Sequence, residues 1–137
     1  MQKRTFLALM AALAASACAG TFPVASNGRV RVKENSGAIR RAVLEAAKER
    51  KFTVEENSRS RITVIYPDPG HSKFSRYHAR YEVRFGDGWY DLRYLSSSGL
   101  AARNCDTGTS GICGHRKLEV WRSDFDSAIL SRLTRAA

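Results

Sequence analysis

The dipeptide Asp87-Gly88 stands between two arms of alternating apolar and polar residues, and no other feature restricts the fold as much. Asp-Gly is a preferred two-residue connection for a β-hairpin, because the favoured turn needs positive φ at its central positions. Folding the chain about it sets Phe85 opposite Tyr90, Val83 opposite Leu92 and Tyr81 opposite Tyr94 on one face. On the other face Arg84 meets Asp91, and Glu82 meets Arg93. A slip of one residue would send every apolar side chain to the wrong face. Matched cross-strand pairs contribute about 0.2–1 kcal/mol each. The chain is therefore expected to build on an antiparallel sheet with one apolar face.

The flanking segments extend that sheet. Phe52 and Val54 alternate with polar neighbours, as do Ile62, Val64 and Tyr66 after the Asn57-Ser58 turn; Pro67-Asp68-Pro69-Gly70 ends the run. Before these strands, Ile39, Ala42, Val43 and Ala46 recur at helical spacing, with Asn35 or Ser36 placed to cap the start. After them, Leu118, Trp121, Phe125, Ala128, Ile129 and Leu133 form a second stripe, opened by His115. Asp124 and Asp126 are expected early in that helix, and Arg132 and Arg135 in its last turns, where the dipole favours cations. The expected class is α+β: helix, four-stranded antiparallel meander, C-terminal helix, with both helices on one sheet face and the other face wet. A chain of 137 residues, 43% hydrophobic and 26% charged, suits one such domain.

Residues 1–20 are read as an address. Lys3 and Arg4 precede an uncharged run from Phe6 to Ala15, too short to span a bilayer. The run leads into Ala15-Ser16-Ala17-Cys18, which resembles the lipobox of bacterial lipoproteins, although that family prefers Leu where Ala15 stands. The resemblance implies a diacylglyceryl group on Cys18 and a mature protein that begins there. The expected division is a signal peptide at 1–17, a lipid-anchor cysteine and tether at 18–34 carrying Pro23, Ser26, Asn27 and Gly28, and a single α+β domain at 35–137. A strand around residues 29–32 is a weaker reading of part of the tether. Two alternatives stay open: cleavage before Gly20, giving a soluble periplasmic protein, and an uncleaved Ala-rich helix. Ala19-Gly20 lacks the Asp that would resemble an inner-membrane retention signal, so the outer membrane is favoured.

With Cys18 set aside, Cys105 and Cys113 form an even pair, expected as a disulfide in an oxidising compartment. The short Gly/Ser/Thr-rich ring between them would gain about 2–3 kcal/mol from closure. A metal site made with His115 is the alternative, but the spacing is wide and a fourth ligand is not evident.

The second half resembles a set of small lipoproteins of Gram-negative bacteria whose molecular role is undefined. It does so through the aromatic hairpin, the Ser-rich strand end Tyr94-Leu95-Ser96-Ser97-Ser98-Gly99-Leu100, and His115-Arg116-Lys117-Leu118-Glu119-Val120-Trp121 entering the closing helix. The resemblance implies fold and location in the envelope, and no activity.

The formal net charge of +10 leans toward an anionic partner. Export makes nucleic acid an unsuited partner and leaves an anionic glycan, a lipid head group or an envelope protein. The 17 Arg against 6 Lys can equally be compositional. On the wet face, Arg76, His78 and Arg80, with Arg61 and Trp89, form the candidate binding face, and a merely solvated face is the plain alternative. Catalysis has a weaker footing. Ser96-Ser97-Ser98 with His78 or His115 could supply a nucleophile and base for a small serine hydrolase, but neither a nucleophile elbow nor an orienting acid is evident. The expectation is a non-enzymatic binding or assembly module with no cofactor and no metal.

Overall fold

The computed structural model describes residues 21–26, 28–68, 70, 77–105 and 111–136. Cys18, His71, Arg76 and most of the ring between the cysteines lie outside them. In chain order the elements are β1 (Phe22–Pro23), β2 (Val30–Arg31), α1 (Ser36–Glu49), β3 (Thr53–Asn57), β4 (Arg61–Tyr66), β5 (His78–Gly86), β6 (Trp89–Ser98), β7 (Arg103–Asn104), β8 (Ile112–Gly114) and α2 (Arg116–Leu130). They form a mixed α+β structure with two antiparallel sheets, ordered β2-β6-β5-β4-β3 and β1-β8-β7.

The hairpin register is the expected one from Gly86↔Trp89 through Tyr81↔Tyr94. Gly88 adopts φ +78 but Asp87 does not take positive φ, so the two-residue connection is not the type with both central residues left-handed that Asp-Gly favours. Beyond Tyr81 an extra residue enters β6, so that Arg80 pairs with Ser96 and His78 with Ser98. A second bulge, between Val54 and Glu56, kinks the edge strand β3.

One face of the large sheet carries the core. Ile62, Val64, Tyr81, Val83, Phe85, Tyr90 and Leu92 pack there with Ile39, Val43 and Ala46 of α1 and Leu118, Phe125 and Ile129 of α2. Phe52 stacks on Tyr66 and on Phe125, each at 4.7 Å between ring centroids. Two buried tyrosines fix α2 by their hydroxyls: Tyr81 donates to Leu118 O at 2.6 Å and Tyr90 to Asp126 Oδ1 at 2.7 Å. Asn35 Oδ1 caps α1 by accepting from Ala38 N at 2.9 Å. The helix closes through Lys51 at φ +62, with Lys51 N–H donating to Lys48 O and Phe52 N–H to Ala47 O.

The structure corrects the sequence reading in four places. The meander of four strands is widened to five by β2, and a separate three-stranded sheet lies beside it. The stretch expected as a tether carries strands from Phe22 onward: Phe22 pairs with Gly114, and Val30 with Tyr90. Gly88 O accepts from Val32 N–H, Gly88 N–H donates to Glu34 O, and Ser36 N–H donates to Asp87 Oδ1, so the hairpin tip itself holds this segment down. Third, α2 begins at Arg116 with His115 as its cap, which puts Asp124 and Asp126 in its middle turns. Fourth, it ends at Leu130: Arg132 reaches α1 at Glu49, 3.0 Å away, and Arg135 bridges to Val32.

Candidate functional site

Of the predicted binding residues, Arg61, His78, Arg80 and Trp89 are among the described ones and share the outer face of the large sheet, but Arg61 and Arg80 are paired with carboxylates. Arg61 binds Glu56 at 2.7 Å and approaches Glu82 at 3.8 Å; Arg84 binds Glu82 at 2.7 Å; Arg93 binds Asp91. These are not the cross-strand pairs expected from the register. Each guanidinium reaches two residues along its own strand, or onto the next one, because residues i and i+2 share a face. Asp91 Oδ1 is left buried without a hydrogen-bond partner among the described residues. Arg80 spans from β5 to Glu55 on β3 at 2.8 Å, arching over the intervening β4. That arch explains why Ile65, on the outer side of β4, is only 1% exposed. Arg80 also approaches His78 Nε2 at 3.4 Å. The centre of this face thus sets Arg61, Arg80, Arg84 and Arg93 against Glu55, Glu56, Glu82 and Asp91. It is a balanced ionic lattice and not a bare cationic patch.

The unbalanced charge lies nearer the hairpin tip. Trp89 lies flat across Gly86, its cross-strand partner; a Cβ on that glycine would fall 2.6 Å from the indole Nε1. The Arg29 guanidinium stacks on the same ring at 3.9 Å from its centroid. Arg31, the strand partner of Trp89, is exposed and has no ion-pair partner among the described residues. Arg29, Arg31, Asp87, Gly88 and Trp89 line a hollow of about 240 Å³. Beside it, an open cleft of about 390 Å³ is lined by Glu56, Ser58, Ser60, Arg61, Arg84, Phe85 and Trp89. A guanidinium stacked on an indole keeps its N–H edge outward in a fixed plane, which suits bidentate contact with a carboxylate or phosphate.

Sequence reasoning named Trp89 and Arg61 for this face but not Arg29 and Arg31, which the structure brings beside Trp89. The signal was present in Arg29-Val30-Arg31-Val32-Lys33, whose strict alternation is that of a strand with its cations on one face.

A second polar knot joins the N-terminal segment to α2. Arg122, 4% exposed, donates to both oxygens of Glu119, and Ala25 N–H donates to Glu119 Oε2 at 2.8 Å. Burial acts to raise the Glu119 carboxyl, but the Arg122 guanidinium and the Ala25 amide outweigh it and hold it below its ordinary value. This knot is structural in its geometry: each charge has a partner, and the partners belong to elements it ties together.

The Cys105–Cys113 disulfide is formed, with 5.0 Å between the Cα atoms. No group of three or more metal-ligating side chains occurs among the described residues. His115 Nδ1 accepts from Lys117 N at 3.1 Å as the helix cap, and the Ser97 hydroxyl pairs with Tyr94 Oη at 2.7 Å. The register sets His78 opposite Ser98. Among the described residues no helix is long and apolar enough to cross a membrane. No protein-family model matches the chain, and no curated protein matches it either.

Proposed function

We propose that the chain is a lipid-anchored protein of the bacterial envelope that acts as a non-enzymatic binding or assembly module on the periplasmic side of the outer membrane. The site of binding is the hairpin-tip end of the outer sheet face, where the Arg29–Trp89 stack and Arg31 line a hollow that shares Trp89 with the cleft at Ser60. The partner presents a carboxylate or phosphate, as an anionic glycan or an acidic segment of an envelope protein does. The observation that carries the reading is the concentration of unbalanced guanidinium beside an indole at this end, while the cations elsewhere on the face are consumed by carboxylates. The lipobox-like Ala15-Ser16-Ala17-Cys18 supplies the location.

Two measurements test it. Metabolic labelling with a palmitate analogue should mark the wild-type chain and not Cys18→Ala, whereas equal labelling of both overturns the anchor. Cosedimentation of the purified domain with isolated cell-wall sacculi and with lipopolysaccharide should weaken as salt rises, since exposed charges are screened. It should be reduced in Arg29→Glu/Arg31→Glu. Retention unchanged by both salt and charge reversal contradicts the site.

A further inference from the structure

The pinning of β1 fixes where a lipid on Cys18 would hold the domain, and so which end of the molecule meets the bilayer. Phe22 and Pro23 are paired with Gly114 and Cys113, and Val24 N–H donates to Ile112 O. Only four chain steps separate Cys18 from Phe22, about 14 Å at full extension. The tether is thus far shorter than residues 18–34, and the ground around Phe22 is held within about 14 Å of the lipidated cysteine. That ground is the end of the sheet opposite the Asp87-Gly88 turn. Gly114 adjoins Leu100 O, just past the end of β6, and His115 N–H donates to the same carbonyl.

The surface chemistry of this end fits the position. Three of the exposed large apolar residues belong to chain stretches that terminate at this end: Phe22 (47% exposed) on β1, Tyr77 just before β5, and Val120 near the start of α2; Leu95 (47%) and Val54 lie further in, near the level of the Tyr81–Tyr94 pair. Arg116 and Lys117, in the first turn of α2, are exposed without ion-pair partners among the described residues. Apolar and aromatic side chains rimmed by cations are what an anionic interface binds. Such residues scattered singly would need no explanation, but their grouping at the lipid-bearing end does.

Resting on the lipid-anchor reading above, we infer that the β1–β8–α2 end is a phospholipid-docking surface. The domain stands upright on it, with the Trp89 cleft roughly 30 Å away along the nine residues of β5. The anchor and the docking surface act together: the lipid holds the domain at the bilayer, and the interfacial contact sets its orientation.

The test uses the full chain, lipidated in cells and reconstituted in vesicles of phosphatidylethanolamine and phosphatidylglycerol. An environment-sensitive fluorophore is placed on Val120→Cys or, at the far end, on Arg59→Cys. Lipid-borne nitroxide should quench most of the emission at 120 and leave that at 59 unchanged. Adding Arg116→Glu and Lys117→Glu should return the 120 probe toward its aqueous emission. Mass analysis of the Cys18 peptide runs in parallel. A chain without lipid refutes the anchor and this orientation with it. A lipidated chain whose 120 probe stays unquenched, or whose probes quench equally, overturns the docking surface alone, and a shift at 120 that ignores lipid nitroxide assigns this end to a protein partner instead.

Discussion

Replacing Gly86 with alanine should detach the indole at the centre of the candidate site while leaving the fold intact. The added Cβ would lie 2.6 Å from Trp89 Nε1, 3.0 Å from Cε2 and 3.2 Å from Cζ2. Attractive carbon contacts lie at about 3.5–4.0 Å, so the ring must withdraw by about 1 Å. Arg29, stacked 3.9 Å from the ring centroid, must leave with it. An exposed cation–π contact is worth about 0.5–1 kcal/mol. Against that loss, alanine is better than glycine in a strand interior by about 0.5–1 kcal/mol, so global stability should change by well under about 1 kcal/mol. In a Trp121→Phe background Trp89 is the sole tryptophan. Acrylamide quenching of that residue should rise and its emission move to the red in Gly86→Ala, with an unchanged urea midpoint. Equal quenching in both proteins would refute the seating of Trp89 on Gly86 and the stack built on it.

Three further outcomes follow from the same geometry. Lys51 holds the left-handed position that ends α1, so Lys51→Gly should raise the unfolding free energy by about 1 kcal/mol in urea titration. Gly114→Ala should lose about 1–3 kcal/mol, because its Cβ would meet the buried Leu118 Cδ1 at 2.5 Å and Leu100 O at 3.2 Å with no open side to move into. The depressed Glu119 carboxyl contributes stability above the ordinary carboxylate pKa, and that contribution is lost as pH falls through its lowered value. The stability gap between wild type and Glu119→Gln should therefore be full near neutrality and narrow as pH falls below the ordinary Glu range of about 4.3, as read from denaturant midpoints across pH.

Much of the fold was legible because its strongest signals are local. Asp87-Gly88 with period-two arms specifies the β5–β6 register as far as Tyr81↔Tyr94, and Asn35 and His115 mark the helix starts because their side chains can accept from the first backbone amides. What was faint or escaped depends on partners distant in sequence. Strand β2 pairs through only two residues, and its valines alternate with arginines in a stretch whose Asn27-Gly28 reads as a turn; only the open edge of β6 makes it a strand. The ionic lattice was illegible for another reason. Bulges at Val54/Glu56 and Arg80/Tyr81 shift parity along β3 and β6, bringing Glu55 within reach of Arg80 across an intervening strand. Alternation alone cannot show that, so Arg61 and Arg80 looked available for a ligand when carboxylates already hold them. Arg76 and Cys18, the other sequence-predicted positions in question, lie outside the described residues.

We propose that the hairpin-tip cleft, held away from the membrane, binds an envelope component. A photo-crosslinking residue at Ser60, which lines that cleft and is exposed, tests it in the living envelope. One dominant protein or glycan adduct is expected, and it should disappear when Arg29 and Arg31 are reversed to glutamate. A lipidated, folded chain that yields no adduct, or one that persists through the charge reversal, would contradict it.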